Sequence, residues 1–202
     1  MLQLNHLTVT RGGKEVLSDC TFQFQEGKVY ILFSEDPEDY KAFLKCACRE
    51  KATKRGEIVT WDGSVICNSL DDLFLPRFLT VKEYLDDLTE VSGHLTTTGT
   101  LIKRLELNEN RLGVTVGKAG EKIQAALRLA PVFATDPYIL VFGEPFPEEE
   151  LLCRIVNDIK EDKVIILATS DMDEAKRIAS GTEGYILSME SGDFRSVLIG
   201  EM

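Results

Sequence analysis

Three nearly continuous apolar runs, each followed by a helical pattern, place the strongest constraint on how this chain folds. The runs are "KVYILFS" (28–34), "YILVFGEP" (138–145) and "KVIILATS" (163–170). A strand that is apolar all along its length is typical of a position in a parallel sheet that is covered on both faces. Because amphipathic helices follow these strands in alternation, the sequence predicts an α/β fold with a sheet that is mostly parallel in its centre.

Weaker patterns at both ends of the chain predict additions to that sheet. Residues 2–10 and 20–25 alternate apolar and polar side chains, as half-buried strands do. The stretch "GEIVTWDG" (56–63) favours a short strand that ends in a turn. We therefore expect an N-terminal antiparallel β subdomain. A second antiparallel pair, a terminal hairpin that turns at Ser191-Gly192, is expected near the C-terminus.

Residues 80–130 are mainly helical in pattern, with Pro131 placed to break the last helix or to mark the first turn of another. Asp39 is the predicted N-cap of the first helix of the chain. We expect a single unit over residues 1–202, with a helical subdomain at approximately 70–130.

Charge and cysteine usage exclude several classes of function. The formal net charge of −11 argues against a nucleic-acid partner, which needs clustered Lys and Arg. No stretch approaches the roughly 18 apolar residues of a membrane span, and no signal peptide is visible, so direct membrane insertion is not expected. The odd set of cysteines without a Cys-x-x-Cys pair predicts free thiols in a reducing cytosol and no metal site: Cys20, Cys46, Cys48, Cys67 and Cys153.

The loop after the first apolar run is unusually acidic. Glu35, Asp36, Glu38 and Asp39 occupy it, and it contains no glycine. A strand, a tight loop and a helix near the start of a chain commonly cradle a phosphate, which carboxylates repel. One interpretation is that the loop's own carboxylates satisfy the N–H groups at the start of the helix. The alternative is a solvated acidic loop that has lost an earlier function.

Five segments, in order and with fitting spacing, carry a resemblance to a known family. They are "LQLNHLTVTRGGKEVLSDCTFQFQEGKVYIL", "GEIVTWDG", "FLTVKEYL", "DPYILVFGEPF" and "VIILATSDMDEA". The third is similar to "LTVxENL", the fourth to "DPxxLLLDEP" and the fifth to "TVLLATHDxxEA" of the ATP-binding cassettes of ABC transporters. The chain resembles such a cassette over essentially its whole length. The resemblance implies a P-loop NTPase-like fold and ATP sites shared between two facing cassettes.

The phosphate loop of that family, "GxxxxGK" followed by Ser or Thr, is not preserved. Its glycines provide backbone N–H groups, its Lys holds the phosphates and its hydroxyl holds Mg²⁺. Aligning the ends of the strands places Ser34 and Asp39 at the two glycines and Tyr40 at the Lys. Lys41 would serve as the phosphate lysine only if the loop shifted by one residue. This degenerate loop predicts that tight ATP binding is absent.

Other positions that the resemblance marks as functional are also altered. Gly143 stands at the metal-side Asp, whereas Glu144 matches the catalytic base and is interpreted as a retained relic. Ser170 stands at the switch His, and Arg11 lies close to the place of the adenine-stacking aromatic residue. The metal-contacting Gln would fall near Asp71 or Asp72.

The family's "LSGGQ" segment, which contacts the partner cassette's nucleotide, corresponds to "GKAGEKIQAAL" (117–127). Gly120 and Glu121, ahead of a predicted helix, are the candidate remnants of this signature. Gly120 and the N-terminus of that helix could still approach a phosphate of the partner's nucleotide.

Taken together, these positions predict a degenerate, non-catalytic cassette subunit of an ABC transporter. It would lie at the cytoplasmic face of the membrane and pair with an active cassette, with permease subunits, or with both. Phe74, Leu75 and Phe78 are candidates for the rim of a permease-docking groove, and equally for core. We expect no cofactor or metal, with weak binding of ATP and Mg²⁺ left open. Two alternatives are an active but divergent ATPase that uses Lys41 and Glu144, and a soluble adaptor derived from a cassette.

Overall fold

The computed structural model describes residues 1–60, 66–69, 75–93, 95–189 and 192–197. The strands are β1 (Leu2–Arg11), β2 (Lys14–Phe24), β3 (Lys28–Phe33), β4 (Arg55–Thr60), β5 (Ile66–Ser69), β6 (Ile139–Gly143), β7 (Val164–Thr169), β8 (Tyr185–Ser188) and β9 (Arg195–Val197). The helices are α1 (Pro37–Ala47), α2 (Val81–Val91), α3 (Thr98–Arg104), α4 (Glu121–Arg128), α5 (Ala130–Thr135), α6 (Glu149–Ile159) and α7 (Met172–Thr182).

The larger sheet has the strand order β5–β6–β7–β3–β8–β9. Its neighbouring strands are parallel, except that β8 and β9 form an antiparallel pair. The parallel centre and the C-terminal hairpin predicted from the sequence are therefore confirmed. Ser191, in the predicted hairpin turn, lies outside the described residues.

Both faces of the larger sheet are covered, which explains the continuous apolar runs. In β3, Ile31 and Phe33 belong to one buried cluster, and Tyr30 and Leu32 belong to another on the opposite face. The second cluster includes residues of α1 and of a smaller antiparallel sheet with the order β2–β1–β4. This smaller sheet confirms the predicted antiparallel β element. The predicted turn after β4 lies outside the described residues.

Helices cover the other face, where residues of α2–α7 pack in one cluster with β3, β6 and β7. The break predicted near Pro131 is present, since α4 ends at Arg128 and Pro131 lies in the first turn of α5. Proline is tolerated there because the first turn of a helix needs no N–H donor. Within the described parts of the chain, no helix combines the length and the apolar character needed to cross a bilayer.

The parallel strands bring three of the sequence-selected positions to one edge of the sheet. Ser34, Glu144 and Ser170 each directly follow a strand, namely β3, β6 and β7. These strands are adjacent and run in the same direction, so their carboxyl ends meet at this edge, where α/β proteins commonly bind ligands.

Candidate functional site: the carboxyl edge of the parallel sheet

The loop between β3 and α1 consists of only three residues, Ser34 to Asp36. The N-cap of α1 is Asp36, whose Oδ1 accepts a hydrogen bond from the Glu38 amide at 3.0 Å. The predicted N-cap, Asp39, is wrong by three residues. The physical reason is Pro37, whose fixed φ and missing N–H suit the first helical position and start the helix earlier. The first turn of α1 therefore lies within the stretch aligned with the phosphate loop.

Asp36 and Asp39 pair with cations at the adjoining ends of β1 and β2. An Arg11 nitrogen lies 2.6 Å from an Asp36 oxygen, and Arg11 Nε lies 3.2 Å from Asp39 Oδ1. Lys14 Nζ donates to Asp39 Oδ2 at 3.1 Å. The hydrogen bond from Arg11, followed by that from the Glu38 amide, lowers the pKa of Asp36. The charges of Asp36 and Asp39 are therefore balanced by cationic side chains of the same chain.

Tyr40, aligned with the family's phosphate lysine, is fully buried beneath this edge. Its hydroxyl donates to Glu144 Oε2 at 3.4 Å. Lys41 would match the phosphate lysine if the loop were shifted by one residue. Its Nζ pairs with Glu38 Oε1 at 3.4 Å. Ser34 is buried, and its amide donates to the Thr169 carbonyl at 3.3 Å, which ties the loop to β7.

Glu144 is the acceptor at the centre of a hydrogen-bond network. Its Oε1 accepts from the Ser170 amide at 2.6 Å and from the Thr169 hydroxyl. The Ser170 hydroxyl lies 3.2 Å from its Oε2, the oxygen that also faces Tyr40. The candidate catalytic base and the residues at the lysine and switch-histidine positions are therefore bonded to one another. The Ser170 amide and the hydroxyls of Tyr40, Thr169 and Ser170 are thus engaged by a carboxylate and are not free to bind a phosphate.

Sequence reasoning missed Thr169 and Glu174, which complete this network. The Thr169 hydroxyl lies within hydrogen-bonding distance of Glu144 Oε1 and 2.7 Å from Glu174 Oε2. A hydroxyl has a single proton, so Thr169 donates to one of these two carboxyl groups at a time. Burial is the main cause that raises the pKa of Glu174. The hydrogen bond from Thr169 acts in the opposite direction, and the charge of Glu144 adds to the rise. The sequence feature that could have identified Glu174 is its position in the first turn of the helix that follows β7.

This arrangement predicts a dependence of stability on pH. The pKa of Glu174 in the folded protein lies above its ordinary value of 4.5, so protonated Glu174 stabilises the fold. The contribution is complete below that ordinary value and is lost as the pH rises through the folded-state pKa. We compare the free energies of unfolding of wild type and Glu174→Gln. The difference, wild type minus variant, should decrease as the pH rises from about 4 to about 8. Urea unfolding at a series of pH values measures it.

The matched control is the same comparison in a Glu144→Gln background. Removing the charge of Glu144 removes one cause of the raised pKa, so the trend should become shallower. A difference that does not change with pH in the wild-type background would contradict the raised pKa of Glu174.

Gly120 and Glu121 lie at the start of α4, as predicted, and both are exposed. Gly120 has a φ of 83°, a conformation that glycine adopts readily. The preceding segment is bonded to the entry of α2, since the Val116 amide donates to the Leu79 carbonyl at 2.8 Å and the Gly117 amide to the Arg77 carbonyl at 3.1 Å. Glu121 lines a groove of about 620 Å³ together with Phe146 and Glu148.

The predicted permease rim is only partly described. Phe78 is 74% exposed, whereas Leu75 packs partly buried against the core. Phe74 and the Asp71–Asp72 pair, expected near the metal-contacting Gln, lie outside the described residues.

Comparisons with known proteins identify the fold. No protein-family model matches the sequence, and no curated protein matches it. Among solved structures, a dimeric bacterial ABC transporter cassette is 15% identical, covers 100% of both chains and has a TM-score of 0.77. The same cassette in a post-hydrolysis state bound to ADP and phosphate is 16% identical over 100% of both chains, with a TM-score of 0.76. A putative ABC transporter ATP-binding protein from Pyrococcus furiosus is 20% identical over 84% of this chain and 91% of its own, with a TM-score of 0.71.

These likenesses confirm the predicted fold class, because they extend over most or all of the chain. The chain has the fold of an ATP-binding cassette. At these low identities, the likeness extends to the fold alone.

Proposed function

We propose that this chain, whose fold is that of an ATP-binding cassette, acts as a non-catalytic cassette subunit of an ABC transporter. In this proposal it lies at the cytoplasmic face of the membrane and pairs with an active cassette, with permease subunits, or with both. The observation that carries the proposal is the closed network in which Tyr40, Thr169 and Ser170 bond to Glu144.

The electrostatics of the loop supports a lack of nucleotide binding in this proposal. A triphosphate carries roughly four negative charges, and a carboxylate about 5 Å from one of them repels it by roughly 1 to 3 kcal/mol near a protein surface. Arg11 and Lys14 offset part of the loop's charge, but both already pair with Asp36 and Asp39. Lys41 pairs with Glu38, which disfavours the alternative of a divergent ATPase that uses this lysine.

The features kept by the chain support a mechanical role beside a competent partner. Gly120 provides no side-chain cap, so the amides at the start of α4 have no hydrogen bond from an N-cap side chain. A helix start of this kind suits an anion from another subunit. The exposed Phe78 lies on the segment bonded to residues 116 and 117, so a permease bound there would contact an element joined to the α4 entry.

Thermal unfolding with Mg-ATP tests the loss of nucleotide binding. A ligand present at 1,000 times its dissociation constant stabilises the native state by about 4 kcal/mol. For a chain of this size that corresponds to a rise in melting temperature of roughly 8 to 16 °C. We expect no rise with 1 mM Mg-ATP. An active cassette of another transporter, measured in parallel, serves as the positive control.

A rise of several degrees with Mg-ATP would favour the divergent ATPase. Co-purification from detergent-solubilised membranes then separates the transporter subunit from the soluble adaptor. A permease or a second cassette that remains bound after washing supports the transporter subunit. The absence of both, under conditions that keep a known transporter intact, would support the adaptor instead.

A further inference from the structure

A groove between α3, α5 and α6 lies apart from the site described above. It consists of two adjoining depressions of about 290 Å³ and 580 Å³ that share Arg104 and Phe133 in their walls. Asp136 and Lys163, which line the smaller depression, precede β6 and β7 respectively. The groove is therefore at the amino edge of the parallel sheet, opposite the edge that holds Glu144. We call it the α3–α6 groove.

The groove carries positive charge that the described part of the chain leaves without a carboxylate partner. Lys103 and Arg104 line it, and neither forms an ion pair with an acidic side chain among the described residues. The Arg104 guanidinium instead lies 5.0 Å from the centre of the Phe133 ring. Two adjacent unmatched cations are notable in a chain with a net charge of −11, where carboxylates are abundant.

The two other cations of the groove are paired locally. Arg154 pairs with Glu106 at 2.5 Å, and Lys163 pairs with Asp136 at 2.7 Å. Asp158 is the other carboxylate in the wall. Lys103 and Arg104, which have no carboxylate partner among the described residues, favour an anionic occupant, whereas the net charge of the whole chain argues against nucleic acid and anionic lipid.

The groove also has an apolar component that a simple anion would not use. Leu95, in the wall of the smaller depression, is 70% exposed, and the Phe133 ring forms part of both depressions. Arg104 lines both depressions, whereas Lys103 lines only the larger one, so the two charges lie at different positions in the groove. Separated cations beside apolar side chains suit an extended chain with alternating carboxylate and apolar groups.

We propose that the α3–α6 groove binds an acidic, partly apolar segment of a partner protein. Carboxylates of that segment pair with Lys103 and Arg104, and an apolar side chain covers Leu95. The site does not depend on nucleotide, because it lies at the opposite edge of the sheet from Tyr40 and Glu144. This proposal is therefore independent of the function proposed above.

The test is selection of short random peptides displayed on phage against the purified chain. Counter-selection uses a Lys103→Glu, Arg104→Glu double variant. We expect the selected peptides to be enriched in Asp and Glu with interspersed apolar residues. In fluorescence anisotropy, their affinity should fall by about tenfold or more on the double variant, because like charges would then face one another. Versions of the peptides with Asn and Gln in place of the acids should lose affinity similarly.

Two further variants keep the result interpretable. Lys103→Glu alone changes an exposed side chain, so a clear loss of affinity on this variant supports the proposal even if the double variant fails to fold. Lys176→Glu on α7 is the matched control, since it reverses an exposed helical lysine elsewhere, and affinity should stay within about twofold. Peptides without acidic enrichment, equal binding to wild type and both groove variants, or competition by inorganic phosphate alone would each overturn the proposal.

Discussion

Replacing Tyr40 with alanine lowers the free energy of unfolding by about 3 to 5 kcal/mol, the range seen when a large buried aromatic side chain is truncated. Tyr40 is among the largest fully buried side chains of the chain and lies in the cluster shared by α1 and both sheets. The cost combines lost burial of the ring with the cavity that remains. Urea unfolding followed by circular dichroism gives the free energy.

Two substitutions at the same position separate the ring from the hydroxyl. Tyr40→Phe keeps the ring and removes the hydroxyl, with its 3.4 Å hydrogen bond to Glu144, so we expect a loss of about 1 kcal/mol. Tyr40→Lys restores the residue type of the family's phosphate loop and should destabilise the fold strongly, because it buries an ammonium group. A Tyr40→Lys variant that is as stable as wild type and gains affinity for Mg-ATP would show that the buried tyrosine is not what closes this site.

The second large effect is expected at Glu144. Glu144→Ala removes the acceptor of the Ser170 amide and of the Thr169 and Tyr40 hydroxyls. Leaving a buried donor without a partner costs about 1 to 3 kcal/mol, and we expect a loss of stability in that range from this variant. The measurement is again the free energy of unfolding, at a pH near neutral.

Glu144→Gln is the matched control, since its amide oxygen still accepts hydrogen bonds and its charge no longer opposes Glu174. We expect it to be close to wild type in stability. This outcome differs from that of a catalytic base, for which stability would change little in either variant and ATP hydrolysis would be lost in both. Equal stability of Glu144→Ala and wild type would argue against a structural role for the network.

Much of the fold could be predicted from local patterns, because each pattern reflects a simple burial rule. Runs such as Val29–Phe33 are apolar on both faces only when both faces are covered, which fixed the parallel centre of the sheet. The break at Pro131 followed from the missing N–H of proline. The N-cap was misplaced because Asp36 and Asp39 are equally good capping residues, and the position of Pro37 decided between them.

The chain's own sequence determined which elements form, and it showed that the loop after β3 lacks glycine and lysine at the places where the family's phosphate loop has them. Only the tertiary structure decided where the carboxylates of that loop find their partners. Arg11 and Lys14 come from the adjoining ends of β1 and β2. Thr169 and Ser170 bond to Glu144 from the end of the neighbouring strand, and Glu174 joins the network through the Thr169 hydroxyl. Patterns of apolar residues report burial one element at a time. Hydrogen bonds and ion pairs between elements depend on distances that exist only once the strands have been set side by side.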